Sequence, residues 1–278
     1  MNIITVNVGQ GALAIVRHKK EAIIVDSRIP ACGDDTVAFV KEMFATSLKD
    51  HNVKGFVLTG FDDDHCDVIG TAIVLQKYRP DWVLYPQYYK NTEEARSVFW
   101  LIDEQEKARR NSTRALKRIP IRLDRLTSRK LPGLSTNFEF ELFSPHIEDM
   151  SSSNNSSIVL KLTGVGWGGF SYLITGDTES ERWGRIDRFF GEALKAHVMA
   201  AAHHGSKNAV HIPSLLHIDP HTVLISAGVE NQYGHPDPAA VRVYKGVARQ
   251  VFSTNMEGGV SLLTQPGTTE LTTTLIPS

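Results

Sequence analysis

Residues 58–70 read LTGFDDDHCDVIG. An apolar run, VKGFVLTG (53–60), leads into Asp62, Asp63 and Asp64, then His65, with Asp67 two positions on. Adjacent carboxylates repel one another, so such a cluster needs either open water or a cation. The stretch therefore reads in two ways, as a solvated turn or as a ligand loop for a metal ion.

The rest of the chain sets the frame. A length of 278 residues fits one large domain or two small ones. With 41 % hydrophobic and 22 % charged residues, the chain can bury a sizeable core, which excludes a disordered class. The formal net charge of -1 gives no global pull toward nucleic acid. No apolar run approaches the ~18 residues of a membrane span, and the N-terminal MNIITVNVGQGALAIVRHKK has no basic start before a long apolar stretch. Two cysteines, Cys32 and Cys66, are too few for a disulfide framework. A reduced, cytoplasmic protein without a membrane segment is the expectation.

Short apolar runs bounded by glycine predict strands at IITVNVGQGALAIVRH (two, around Gly9 and Gly11), EAIIVDSR, VKGFVLTG, PDWVLYP and FEFELFSP. A hairpin is predicted over SIVLKLTGVGWGGFSYLITGD, further strands at HVMAAA and TVLIS, and closing strands near the C-terminus. Helical spacing predicts helices over DDTVAFVKEMFATSLKDH, DVIGTAIVLQKY, residues 179–194 and PAAVRVYKGV. Residues 91–118 read as one long polar helix, basic in its second half. Its cations are either a solvated face balanced by Asp103, Glu104 and Glu106, or, with Arg122 to Lys130, a basic wall for phosphates. Interspersed strands and helices without a repeat predict sheets covered by helices, in a single domain over 1–278.

Five strands end in ionisable residues followed by glycine or proline: VDSR (25–28), LTGFDDDH (58–65), LITGDT (173–178), AAHHGS (201–206) and YGHP (233–236). Each alone is an ordinary turn sequence. Five together describe a rigid sheet presenting carboxylates and imidazoles, the donors of divalent cations. Metal-assisted hydrolysis is the chemistry such a set supports.

In order and spacing these pieces resemble the metallo-β-lactamase fold superfamily, and within it the hydrolase domain of competence (DNA-internalisation) proteins. VNVGQGALAIV, IIVDSR, NNSSIVLKL with SYLITGD, AAHHGS, SAGVENQYGHP and FSTNMEGGVSL carry the resemblance across nearly the whole chain. It implies an α/β (α+β) fold, an αββα four-layer sandwich, with the site at one edge between the sheets.

The family motif is His-x-His-x-Asp-His, and in the competence branch His-Pro-Asp-x-Asp-His. Laid on LTGFDDDH, it puts Asp62, Asp64 and His65 on ligand positions and Gly60 where the first His belongs. Phe61 falls on the proline, and the glycine expected soon after the His is delayed to Gly70. Asp63 should point to solvent, and Asp67 lies near the site or marks a shifted register.

The resemblance further implies Asp177 as a carboxylate bridging two metals, His235 as the last histidine ligand, and Asn154 or Asn155, with Asn155 preferred, where relatives carry a His. Asp26 should orient a ligand imidazole. His203 or His204 would act as general acid on a leaving oxygen, or as a ligand, while His204 could equally pack to position its neighbour; Asp64 would join the catalytic set. One metal would have Asp64, His65, Asp177 and His235; the other only Asp62, Asp177 and Asn155, an oxygen-rich set expected to be weak or empty. The cofactor is thus one or two divalent ions, zinc or manganese, with magnesium possible.

Three functions follow. The first is a nuclease or other phosphodiesterase acting on nucleic acid through a metal-bound hydroxide. The second is a hydrolase of a small phosphodiester such as a cyclic nucleotide. The third is a catalytically degenerate binding or regulatory protein, acting with a partner protein encoded nearby.

Overall fold

The computed structural model describes residues 1–29, 34–88, 90–125, 127–149, 152–166 and 168–277. Cys32 lies outside them, and of Asp34 only the backbone is described.

The chain builds one sheet, then a second, then returns. Strands β1 (Asn2–Thr5), β2 (Ala14–His18), β3 (Glu21–Val25), β4 (Asn52–Val57), β5 (Trp82–Pro86) and β6 (Lys117–Ile121) lie side by side in that order. Strands β7 (Arg129–Lys130), β8 (Phe138–Ser144), β9 (Val159–Gly164), β10 (Ser171–Ile174), β11 (Val198–Ala200), β12 (Thr222–Ile225) and β13 (Gln250–Ser253) form the second sheet. Finally β14 (Ser261–Pro266) pairs antiparallel with β1, and β15 (Leu271–Ile276) closes the edge.

Both sheets carry a parallel half built the same way. β3 to β6 run parallel, joined through α1 (Asp34–Leu48), α2 (Val68–Ala72, continued as a π-helical turn Ile73–Tyr78) and α3 (Glu93–Arg109). β10 to β13 run parallel, joined through α4 (Ser180–Phe190), α5 (Ile212–Ile218) and α6 (Pro238–Val247). Parallel strands need crossovers, and the helices cover the outer faces.

Alternation along each strand makes the layers. Ile23, Val25, Val57 and Leu84 face Leu160, Tyr172, Val198 and Leu224 in a core between the sheets. Their neighbours Ile24, Phe56 and Val83 pack outward against Phe44 and Ile102. Leu173, Met199 and Val223 do the same against Trp183, Leu215 and Tyr244. The order is helix, sheet, sheet, helix, the αββα sandwich expected from the resemblance.

Two helix boundaries differ from the sequence reading. The 91–118 helix is α3, which starts after the Thr92 cap and stops at Arg109; Lys117–Ile121 is edge strand β6, paired with β5. Asn111, Ser112 and Thr113, poor helix formers, supply the break. The helix over 179–194 is α4 followed by a short 3-10 turn, Gly191–Leu194.

Several basic residues of this region are engaged within the fold. Arg109 donates to the carbonyls of Pro80 and Arg114, and Arg114 pairs with Asp81 at 3.0 Å. Arg118 binds Asp103 and Glu106, and Lys107 binds Glu104. These contacts gather where β5 begins, the opposite end of the sheet from the loop that follows β4. The balanced-face reading describes Lys107 and Arg118, which pair with its three acids. Among the described residues no helix is long and apolar enough to cross a membrane.

Candidate metal centre

The ionisable residues leave the sheets at one edge, where the parallel strands end, the usual place for sites in such sheets. Asp26 follows β3 with φ of 57°, a left-handed conformation that costs energy for a residue with a Cβ. It is held there by what its carboxylate accepts. Oδ1 takes the Thr59 N–H at 2.7 Å, and Oδ2 takes the Thr59 hydroxyl at 2.7 Å and His65 Nδ1 at 2.9 Å.

After β4 the acidic stretch folds into a turn in which the N–H groups of His65 and Cys66 both bond to the Asp62 carbonyl. The carbonyls of Asp64 and His65 are pinned in turn by the N–H groups of Ala12 and Ser27. From the other sheet, Gly176 turns the chain after β10 and Asp177 follows, its N–H bonded to Ser157 Oγ at 3.0 Å. After β11, His203, His204 and Gly205 are left-handed in succession, at φ of 50°, 53° and 80°. A Cβ on Gly205 would stand 2.7 Å from Pro236, so glycine is required there.

These turns bring together Asp64, His65, Asp177 and His204, whose donor atoms all lie within 4.8 Å of one another. His65 Nε2 is 2.8 Å and His204 Nε2 3.7 Å from Asp177 Oδ1; His204 Nε2 is also 3.3 Å from Asp64 Oδ2. His65 Nε2, His204 Nε2 and Asp177 Oδ1 are buried and have no hydrogen-bonding partner outside the cluster. Both rings are held through their other nitrogen, His65 by Asp26 and His204 by the Ser226 carbonyl at 2.8 Å. That arrangement fixes the tautomer that leaves the Nε2 lone pair free. Orphaned donor atoms in a cluster of two imidazoles and two carboxylates fit a divalent metal.

The electrostatics agree. Burial alone would lower the His65 pKa, but Asp177 and Asp26 outweigh it and raise it well above its ordinary value. His204 is raised against burial by Asp177 and Asp64. Asp177, which is buried, and Asp64, which is partly exposed, are held below the usual carboxylate range, Asp64 chiefly by His204 and His65, Asp177 by His65 and His204. Each acid in the cluster depends on positive charge placed at its centre.

The expected residues are distributed as follows. Asp64, His65 and Asp177 meet, and the fourth member is His204, not His235. His235 faces the same cavity, with its ring centroid 5.5 Å from that of His203. His203 stands beside the cluster, Nε2 3.9 Å from Asp177 Oδ2 and Nδ1 4.0 Å from Glu179 Oε1. Asp62 is engaged by Lys90 and by the Ser153 hydroxyl. Asn155 turns away: its Oδ1 accepts the Glu179 N–H at 3.3 Å, and it lines a different cavity with Glu148, Glu181 and Arg185. The asparagine on the site cavity is Asn154.

Asp67 is the N-cap of α2, accepting from Gly70 N at 2.6 Å and from Ile29 N, and Asp63 is exposed, as expected of it. Sequence reasoning missed Arg28, Lys90 and Glu179. Only Glu179 left a trace, two residues after Asp177.

A buried ionic layer supports the Asn154 turn. Arg182 of α4 reaches Asp149 Oδ2 at 2.8 Å and donates to His146 Nδ1, and the Asp149 carbonyl receives the Ser156 hydroxyl. Burial, and then Arg182, push the His146 pKa down to about 4. A histidine with a depressed folded pKa adds stability above its unfolded pKa, lost as pH falls from about 6.5 to about 4. We expect this group to remove on the order of 3 kcal/mol of stability across that window. Urea midpoints at pH 7 and pH 4.5 should therefore differ less in His146→Gln than in the wild type; an equal difference would show that His146 is not the titrating group.

No family profile matches the chain. ComE operon protein 3 of Bacillus subtilis (strain 168) is 28 % identical over 222 residues, 78 % of this chain. The chain spans 25 % of that relative's length. Two solved structures share the architecture at low identity. Igni18, described as a novel metallo hydrolase from Ignicoccus hospitalis KIN4/I, aligns with a TM-score of 0.50 and 14 % identity over 96 % of this chain and 100 % of its own. An E377D mutant of the β-hydroxylase CmlA aligns with a TM-score of 0.51 and 13 % identity over 90 % of this chain and 52 % of its own. A hydrolase and a hydroxylase on one scaffold show that the architecture leaves the reaction open. Two sheets packed face to face between helices, with the donor residues at one edge, are the metallo-β-lactamase fold, and this chain has it.

Proposed function

We propose that the protein is a metal-dependent phosphodiesterase, with nucleic acid as its first substrate class. The observation that carries this reading is the four-donor cluster at the base of a polar cavity of about 420 Å³ whose walls include Arg28 and Lys90. A divalent ion held by Asp64, His65, Asp177 and His204 would supply Lewis acidity toward a phosphoryl oxygen and make water a stronger acid. Two imidazoles with two carboxylates suit zinc or manganese better than magnesium.

The remaining work falls to the chain. Arg28 and Lys90 would orient the phosphate by charge-assisted hydrogen bonds. His203, on the same cavity, is placed to give a proton to the leaving oxygen. Glu179 Oε1 stands 4.0 Å from its Nδ1, and Asn154 holds that carboxylate at 3.0 Å. His204, with its ring built into the cluster, serves as a ligand.

One observation favours a smaller substrate. Arg109, Arg114 and Arg118 are tied up in contacts at the far end of the sheet, and the cavity has the size of a single-ligand site. The test sets single- and double-stranded DNA and RNA beside a cyclic nucleotide and bis(p-nitrophenyl) phosphate, each with Mn²⁺. We expect cleavage of the polymers, and His203→Ala to slow it roughly 100-fold or more. The nitrophenyl ester, whose leaving group needs no proton, should lose far less. Cleavage of the cyclic nucleotide alone would favour the small substrate, and no cleavage of any substrate would leave a binding protein.

A further inference from the structure

The residues expected to hold a second ion are engaged elsewhere or carry no donor. Asp62 is bound through one carboxylate oxygen to Lys90 Nζ and through the other to Ser153 Oγ. Gly60, two residues before it, is not left-handed, and a Cβ built there would meet nothing within 4 Å. The position has space for a side chain's first carbon. Among the described residues, Asp64, His65, Asp177 and His204 are the only set of three or more histidine, cysteine or acidic donors close enough to share an ion. His203 and His235 face the cavity but lie outside that set, His203 Nε2 at 3.9 Å from Asp177 Oδ2 and the two rings 5.5 Å apart.

The charges on the cavity point the same way. Asp62, Asp63, Asp64 and Asp177 line it with Arg28 and Lys90, and Arg28 is fixed by a 2.9 Å bond from Nη1 to the Asp63 carbonyl. Two fixed cations and one divalent ion balance those four carboxylates.

We infer that the site takes one divalent ion, and that the Lys90 ammonium, pinned by Asp62, stands in for a second. The inference rests on the reading of the four-residue cluster as a metal site. A lysine is a compact, strongly hydrated point charge that neither changes oxidation state nor dissociates from the chain. It would offer hydrogen bonds to a substrate oxygen that a second ion would otherwise coordinate. Lys90 is half exposed and a Cβ at Gly60 meets nothing, so both positions are reasonable ones to substitute, with folding checked in each variant.

The experiment counts manganese per chain after equilibrium dialysis, by inductively coupled plasma mass spectrometry, with circular dichroism to check folding. The wild type should hold one equivalent, Lys90→Ala alone one, and the double variant Gly60→His with Lys90→Ala two. Two equivalents in the wild type would overturn the inference and leave the four-residue site intact; none would overturn both. A well-folded double variant that still holds one would show that Lys90 and Gly60 do not set the stoichiometry. In parallel, Lys90→Met should raise the Kd of the manganese-loaded protein for inorganic phosphate about tenfold, the size of a lost charge-assisted hydrogen bond. An unchanged Kd would remove Lys90 from ligand binding.

Discussion

Asp177→Ala is expected to weaken metal binding by at least ~100-fold and to reduce hydrolysis to background. The carboxylate sits at the centre of the cluster, with Oδ1 2.8 Å from His65 Nε2 and 3.7 Å from His204 Nε2, and no partner outside it. No other described acid stands where it could replace it, because Asp64 reaches the group from the opposite sheet. Removing a ligand should cost more than the 10- to 100-fold typical of the groups that merely orient one. A titration against a chromogenic chelator measures this directly. Affinity retained within tenfold would mean that the ion, if it binds, binds elsewhere.

Gly70→Ala should be the most damaging single-methyl change near the site. A Cβ there would lie 1.7 Å from the Ser27 carbonyl oxygen and 2.8 Å from its carbon, backbone atoms that cannot rotate aside. α2 is tied to that segment by Asp67 to Ile29 N and by Thr71 Oγ1 to Ser27 Oγ at 3.1 Å, so the helix has little room to retreat. We expect a loss of about 3 kcal/mol or more, the upper end for overpacking. Because Ser27 follows Asp26, which holds His65, metal affinity should fall as well. Gly60→Ala, with open space around its Cβ, is the control and should change stability by less than about 0.5 kcal/mol. Urea denaturation of the two variants separates them; equal midpoints would contradict the packing argument.

Strand ends were the legible part of this molecule. An apolar run followed by Asp or His keeps its meaning in one dimension, and Asp26, Asp64, His65 and Asp177 all stand where that pattern puts them. The choice between His204 and His235 was not legible. Both follow strands, and the difference lies in successive left-handed residues that turn the His204 ring inward. Asn154 and Asn155 differ in the same way, by one step around a short turn. Lys90 gave no signal, since its role depends on Asp62, 28 positions away in sequence. The basic stretch after Glu106 left two readings open for a related reason. Charge run alone cannot show that Arg109 and Arg114 close onto Pro80 and Asp81. Asp67 and Gly70, which blurred the register of the acidic motif, belong to the cap and packing of α2.

The four donors come two from each sheet, Asp64 and His65 from the loop after β4, Asp177 and His204 from the loops after β10 and β11. The interior between the sheets is aliphatic and aromatic, and such contacts have little directional preference, so they resist separation better than sliding. At the shared edge the tolerance is tighter, because coordination bonds fail with a shift of a few tenths of an ångström. An occupant of that edge would therefore set the lateral offset of one half of the molecule on the other. Its arrival should be felt as slower amide exchange in strands that never touch it, and its loss as shear.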